Sequence, residues 1–116
     1  MMNIWPPFRR DDGVMVTPPD HEVWANSHPN VKQFSEKICS KMIHPNCLFV
    51  DVVGVGPIPV NEAIKAIAIS REKLAEYGID VFVVPFFSEV QGEDGRELTR
   101  LVLRAFKEEM FSGKAL

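Results

Sequence analysis

Three arginines spaced four residues apart, Arg96, Arg100 and Arg104, are the residues of this chain with the plainest chemistry. Side chains alternate between the two faces of an extended strand, so residues an even number apart share a face. On a strand the three guanidiniums form one basic stripe, able to hold phosphates through charge-assisted hydrogen bonds. The competing reading is an ordinary exposed sheet face, with the arginines paired across strands to Asp80 or Glu89. Lys65 is a lone cation in the apolar run Ala63-Ile64-Lys65-Ala66-Ile67-Ala68-Ile69. It either reaches a ligand near the preceding glycines or lays its stem along apolar surface with its ammonium in water. Those glycines, in Gly54-Val55-Gly56, can present backbone amides to a phosphate at a helix start. However, Pro57 and Pro59 remove donors and no third glycine follows at dinucleotide spacing, so tight packing explains the pair without a ligand.

Catalytic patterns are missing from the sequence: there is no HExxH, GxSxG or P-loop. Asp51 sits in an apolar run, where a carboxyl either acts as a base with a raised pKa or is a structurally bound, buried acid; the second case is the commoner. Cys39 and Cys47 have neither CxxC spacing nor a histidine cluster. They read as free thiols in a reducing compartment rather than metal ligands. No metal, cofactor or catalytic residue is expected, so the chain reads as a non-enzyme.

These residues need elements to position them. His21 to Ala25 reads as a first strand, ending in the turn-rich loop Asn26-Ser27-His28-Pro29-Asn30. Asn30 is a good helix N-cap, with Gln33 three residues on. Val31, Phe34, Ile38 and Met42 then fall at helical spacing as a buried stripe, up to about Ile43. His44 suits the helix C-terminus as a cation. Cys47 to Val53 is nearly all apolar, as in a central strand. After a glycine turn and a bend at Pro57-Ile58-Pro59, a helix capped near Asn61 runs to about Tyr77, with Gly78 just past its end. Apolar residues surround this helix between Ala63 and Ile69, which implies cover by the sheet and by a second copy of the chain. Ile64, Ile67 and Ala68, with Phe86 from the next strand, are the expected dimer residues. Val81 to Phe87 is a strand, and Pro85 marks an edge or a bulge in it. A loop from Gln91 to Gly95 leads to a partner strand, Glu97 to Phe106. The order strand, helix, strand, helix, strand, strand predicts a two-layer α/β (α+β) sandwich, one sheet with two helices on one face.

With 116 residues and an apolar fraction of 46%, the chain holds one domain, placed at residues 20–106. Residues 1–19, with Trp5-Pro6-Pro7-Phe8 and Pro18-Pro19, read as an extended arm; residues 107–116 read as a tail. Trp5 and Phe8 suit docking on the domain or on a protein partner. Trp5 with Arg9 and Arg10 also suits base stacking, although Asp11 and Asp12 offset the charge. A net charge of −3 speaks against a basic coat for nucleic acid. No stretch approaches the ~18 apolar residues of a membrane span and no signal-like start is present, so a cytoplasmic protein without a membrane partner is expected.

The motifs together resemble one family. Val23-Trp24-Ala25-Asn26-Ser27-His28-Pro29-Asn30 is similar to the first strand and Ser-x-Pro-Asn loop of the stage V sporulation protein S family. Gly54-Val55-Gly56 and Asn61-Glu62-Ala63-Ile64-Lys65-Ala66-Ile67-Ala68-Ile69-Ser70-Arg71 resemble its glycine turn and following helix; Ile79 to Glu89 and the hairpin from Gly92 to Arg104 continue the match. The family belongs with the Alba-like proteins. The resemblance implies a β-α-β-α-β-β Alba-like fold, a homodimer or higher homo-oligomer, and a regulatory role through DNA or RNA. The implied contacts are Asn26, Ser27, His28, Asn30, Lys65, Arg71, Arg96, Arg100 and Arg104, chiefly to the nucleic-acid backbone. A second hypothesis keeps the fold and drops the nucleic acid: an oligomerisation or protein-interaction module using the second helix and the N-terminal arm. The uncharged loops at Asn26–Asn30 and Gly54–Pro59, with Glu93 and Asp94 at the hairpin tip, favour the second hypothesis; the resemblance favours the first.

Overall fold

The computed structural model describes residues 21–27 and 30–110. The expected arm with Trp5, Arg9 and Arg10 lies outside the described residues, as does His28. Six elements follow one another: β1 (Glu22–Trp24), α1 (Val31–Met42), β2 (Phe49–Gly54), α2 (Pro57–Ala75), β3 (Ile79–Gln91) and β4 (Glu97–Glu109). They form one four-stranded sheet in the order β1-β2-β4-β3. β1 pairs parallel with β2, the α1 crossover making this possible, while β4 runs antiparallel to both β2 and β3. This is the expected α+β arrangement.

Alternation divides the sheet into two unlike faces. Val23, Val50, Val52, Val81, Leu103 and Ala105 point to the helices and share a core with Phe34, Ile38 and Met42 of α1 and Ala63, Ala66, Ile67 and Leu74 of α2. The predicted α1 stripe is this core. Its start is also as expected, for the Gln33 amide donates to Asn30 Oδ1 at 2.8 Å. The helices lock together where Ser70 Oγ donates to Ala66 O and Ser35 O, at 2.8 and 3.2 Å.

Three local expectations differ from the structure. α2 starts at Pro57, not near Asn61, and its N-cap is Gly56 at φ 93°. Prolines in the first helical turn cost nothing, because those amides have no partner within the helix. Gly54 has a packing role: a Cβ there would lie 3.0 Å from the backbone nitrogen of Val60 and 3.1 Å from the carbonyl carbon of Pro59. The glycine pair thus seats the first turn of α2 against the end of β2. At the far end of α1, His44 is not the capping cation. Its Nδ1 accepts from the Asn46 amide at 3.2 Å, and Lys107 Nζ donates to the carbonyls of Met42 and His44, both at 2.9 Å. Finally, β3 and β4 are longer than expected, because they pair with each other from Ile79↔Glu109 to Gln91↔Glu97. Lys107 to Glu109 therefore belong to the sheet and not to a tail. β3 is an edge strand, which suits Pro85.

Candidate functional site

The sheet face turned away from the helices carries Glu22 and Trp24 of β1, Phe49, Asp51 and Val53 of β2, Arg100, Val102, Arg104 and Phe106 of β4, and Phe82 and Phe86 of β3. Register decides what the arginines meet. Asp51 lies opposite Arg104 because β4, not β3, is the neighbour of β2. Arg104 donates from Nε and Nη2 to the two oxygens of Asp51, each at 2.8 Å, and both side chains have 0% exposure. Its guanidinium carbon lies 4.5 Å from the Phe49 ring centre and 5.0 Å from that of Phe86. A planar cation with a forked donor set suits such a site, where an ammonium would not.

Arg100 is held similarly. Its Nη2 lies 2.9 Å from Glu22 Oε2, its Nε donates to Ser88 Oγ at 3.3 Å, and its guanidinium lies 5.3 Å from the Trp24 ring centre. Glu22 also accepts from the Trp24 indole at 3.0 Å. The shared parity of the stripe is thus present, but its expected chemistry is corrected. Arg100 and Arg104 are buried ion-pair members, so neither is placed to meet a phosphate. The cross-strand partners are Glu22 and Asp51, not Asp80 or Glu89. Arg96 precedes β4 in the hairpin loop and is exposed, 3.5 Å from Asp94.

The remaining candidates are scattered. Asn26 Oδ1 accepts from the Val55 amide at 3.4 Å and ties the loop after β1 to the glycine turn. Asn30 spends its side-chain oxygen on the α1 cap. Ser27 ends a single 3-10 turn, Ala25–Ser27. Lys65 is exposed on α2. Arg71 bridges to Asp80 at 2.6 Å. The hydrogen bond from Arg71 holds the Asp80 carboxyl below the usual carboxylate range, and the same bond raises Arg71. Of the expected dimer residues, Ile64 and Ala68 are exposed on α2. Ile67 is a correction, since it lies in the core beneath the helix. Phe86 is another: it faces the opposite side of the sheet, against Arg104.

Both cysteines are free thiols. Burial pushes the Cys47 thiol up, against a smaller opposing pull from the Lys107 charge. Among the described residues, no group of three or more His, Cys, Asp or Glu is placed to hold a metal ion, and no helix is long and apolar enough to cross a membrane. The residues that sequence reasoning missed are Glu22, Trp24, Phe49, Ser88 and Lys107. Each acts on a residue far away in the chain, and no local pattern marks such a pairing.

A four-stranded sheet in this order, with two helices on one face and a long terminal hairpin, is an Alba-like fold. The fold matches that of Alba from Thermoplasma volcanium with a TM-score of 0.51 at 13% identity, over 73% of this chain and 98% of that one. Residues 22–108 match the family model for stage V sporulation protein S. The chain therefore belongs to that family, and its matched region spans all six elements but for the last residue of β4.

Proposed function

We propose that this chain is a non-enzymatic regulatory module that works as a homodimer, assembled through the outer side of α2 and the edge strand β3. The observation that carries this reading is apolar surface left open beside an open strand edge. Ile64 is 54% exposed and Phe87 75%. The Arg71–Asp80 bridge fixes the end of α2 beside the start of β3. The helix rises about 1.5 Å per residue and the strand about 3.3 Å, so Ile64, two turns before Arg71 on the same side of α2, lies level with Val83. Phe87 points to the helix side, in phase with Val81 and Val83. Ile64 and Phe87 therefore both lie along the β3 edge, on the helix side of the sheet. Long edge strands with apolar neighbours are surfaces that proteins cover.

Ile64→Glu puts a charge in this surface without touching the core. Light scattering on the native chain should give a dimer, and on the variant a monomer of unchanged circular dichroism. A monomeric native chain, or a variant of unchanged size, refutes the interface.

A second reading is backbone-directed binding of DNA or RNA, and Lys65 favours it. This exposed cation lies beside Ile64, so dimerisation through α2 would bring two of them close together. Fluorescence anisotropy with labelled single- and double-stranded DNA and RNA, at low and near-physiological salt, separates the two. Micromolar binding that weakens with salt and with Lys65→Glu establishes nucleic acid as the target. Its absence at low salt leaves a module that acts through protein contacts.

A further inference from the structure

α2 turns one face to solvent. Asn61, Ile64, Ala68, Arg71 and Ala75 are all exposed and recur at spacings of three and four. That pattern is the seam of a helix that packs lengthwise on another helix. Lys65 and Glu72 each follow a seam residue, Ile64 and Arg71, so they line one flank of the seam two turns apart. The other flank faces β3, where Arg71 meets Asp80. Arg71 is thereby neutralised within the chain. Lys65 and Glu72 are exposed, and among the described residues neither has an ion-pair partner within the chain.

We infer that a second copy of this chain lies antiparallel along α2, about a two-fold axis beside Ala68, with Lys65 paired to Glu72 of the partner subunit on both sides of the axis. This rests on the α2 interface proposed above and supplies its register.

Charge complementarity selects the arrangement. In a two-fold interface the same patch meets itself, so each contact occurs twice. At about 1.5 Å per residue, Lys65 lies about 4.5 Å before Ala68 along the helix and Glu72 about 6 Å after it. An antiparallel copy therefore sets each ammonium level with a carboxylate to within about 1.5 Å, well inside the reach of both side chains. Asn61 and Glu76 lie about 10 Å and 12 Å to either side of Ala68, so Glu76, the last outward acid, meets an amide donor and not another carboxylate. A parallel copy would instead set Lys65 against Lys65 and Glu72 against Glu72, and like charges on facing flanks repel. Ala68 at the crossing point carries only a methyl group, and the distance between packed helices is set by the side chains at their contact. Assembly and phosphate contact then compete for the same Lys65 ammonium.

The test is sedimentation equilibrium on the full-length chain, on Lys65→Glu, on Glu72→Lys and on the double variant that carries both. The native chain should be a dimer. Each single reversal puts two like-charged pairs at the interface and should weaken the dimer about tenfold. Circular dichroism should stay unchanged, because both positions are exposed. The double variant restores both pairs with their signs exchanged and should return to within about threefold of the native dissociation constant. Ile64→Glu serves as the control for the interface itself. If it splits the dimer while both single reversals leave the dissociation constant unchanged, the interface stands and the register is overturned. Single reversals that the double variant does not rescue overturn the register too. A monomeric native chain refutes the interface and the register together.

Discussion

Removing the Arg104 side chain while leaving Asp51 in place strips a buried carboxylate of its bidentate cation. Both members have 0% side-chain exposure, so water cannot compensate without opening the sheet face. Losing one partner of a buried pair costs about 3–5 kcal/mol. The contacts of the guanidinium with Phe49 and Phe86 add to the loss. A domain of this size is stable by about 5–15 kcal/mol, so Arg104→Ala removes about a fifth of it or more. At roughly 4–8 °C per kcal/mol, Tm should fall by at least about 12 °C. Asp51→Ala should cost a similar amount. The double variant Asp51→Val, Arg104→Met replaces the pair by apolar groups and should return close to the native stability or exceed it, because desolvation of the two charges is no longer needed. Arg104→Lys keeps the charge and loses the fork and the ring contacts, so it should fall between native and Arg104→Ala. Urea unfolding followed by far-UV circular dichroism gives all four values with linear extrapolation. A cost below about 1 kcal/mol for Arg104→Ala would mean that the pair is solvated like a surface bridge, and the argument that withdraws Arg104 from phosphate contact would fall with it.

Further expectations follow from the packing. Gly54→Ala should destabilise by about 1–3 kcal/mol in the same unfolding assay, because its Cβ meets the backbone of Pro59 and Val60, which cannot swing away. Lys107→Met should cost at most about 1.5–3 kcal/mol by removing the charged hydrogen bonds to the end of α1, with amide exchange at that end speeding up first. Asp80 has a depressed folded pKa. Its stabilising contribution is therefore fully present above the unfolded carboxyl value of about 3.9 and is lost as pH falls through the folded value. Asp80→Asn should remove part of the acid dependence of stability below about pH 4, with little effect at pH 7 beyond the loss of the exposed bridge.

What the sequence made legible was local. Periodicity placed both helices and all four strands in order, and Asn30 announced the start of α1, because each such signal lies within a few neighbouring residues. The even spacing of Arg100 and Arg104 was also sound. Their partners were hidden, because β4 inserts between β2 and β3. That strand order places Arg104 beside Asp51, 53 residues away, instead of beside the nearer acids of β3 alone. The α1 cap failed for the same reason, since Lys107 comes from 63 residues beyond His44. Ile67 was misjudged by a different route. Apolar residues all round a helix do not say which of them the chain's own core takes, and the packing of α2 against both α1 and the sheet decides it.

Charge pairing bears directly on whether nucleic acid is a target. Each of the four described arginines has a carboxylate within reach: Asp80 for Arg71, Asp94 for Arg96, Glu22 for Arg100 and Asp51 for Arg104. Among the described residues a polyanion would therefore meet lysines, and the exposed ones on the helices are Lys32, Lys37 and Lys65. Each phosphate neutralised on duplex DNA contributes about 0.9 to the slope of log affinity against log salt. These three lysines can then contribute no more than about 3 per protomer to the slope of any duplex binding, and Lys65→Ala should lower the measured slope by about 1. Arg100→Gln and Arg104→Gln should leave the slope unchanged wherever those variants stay folded. A slope that falls with either arginine would show that the ion pairs open to take phosphate. The sheet face would then be a binding surface and not a closed layer.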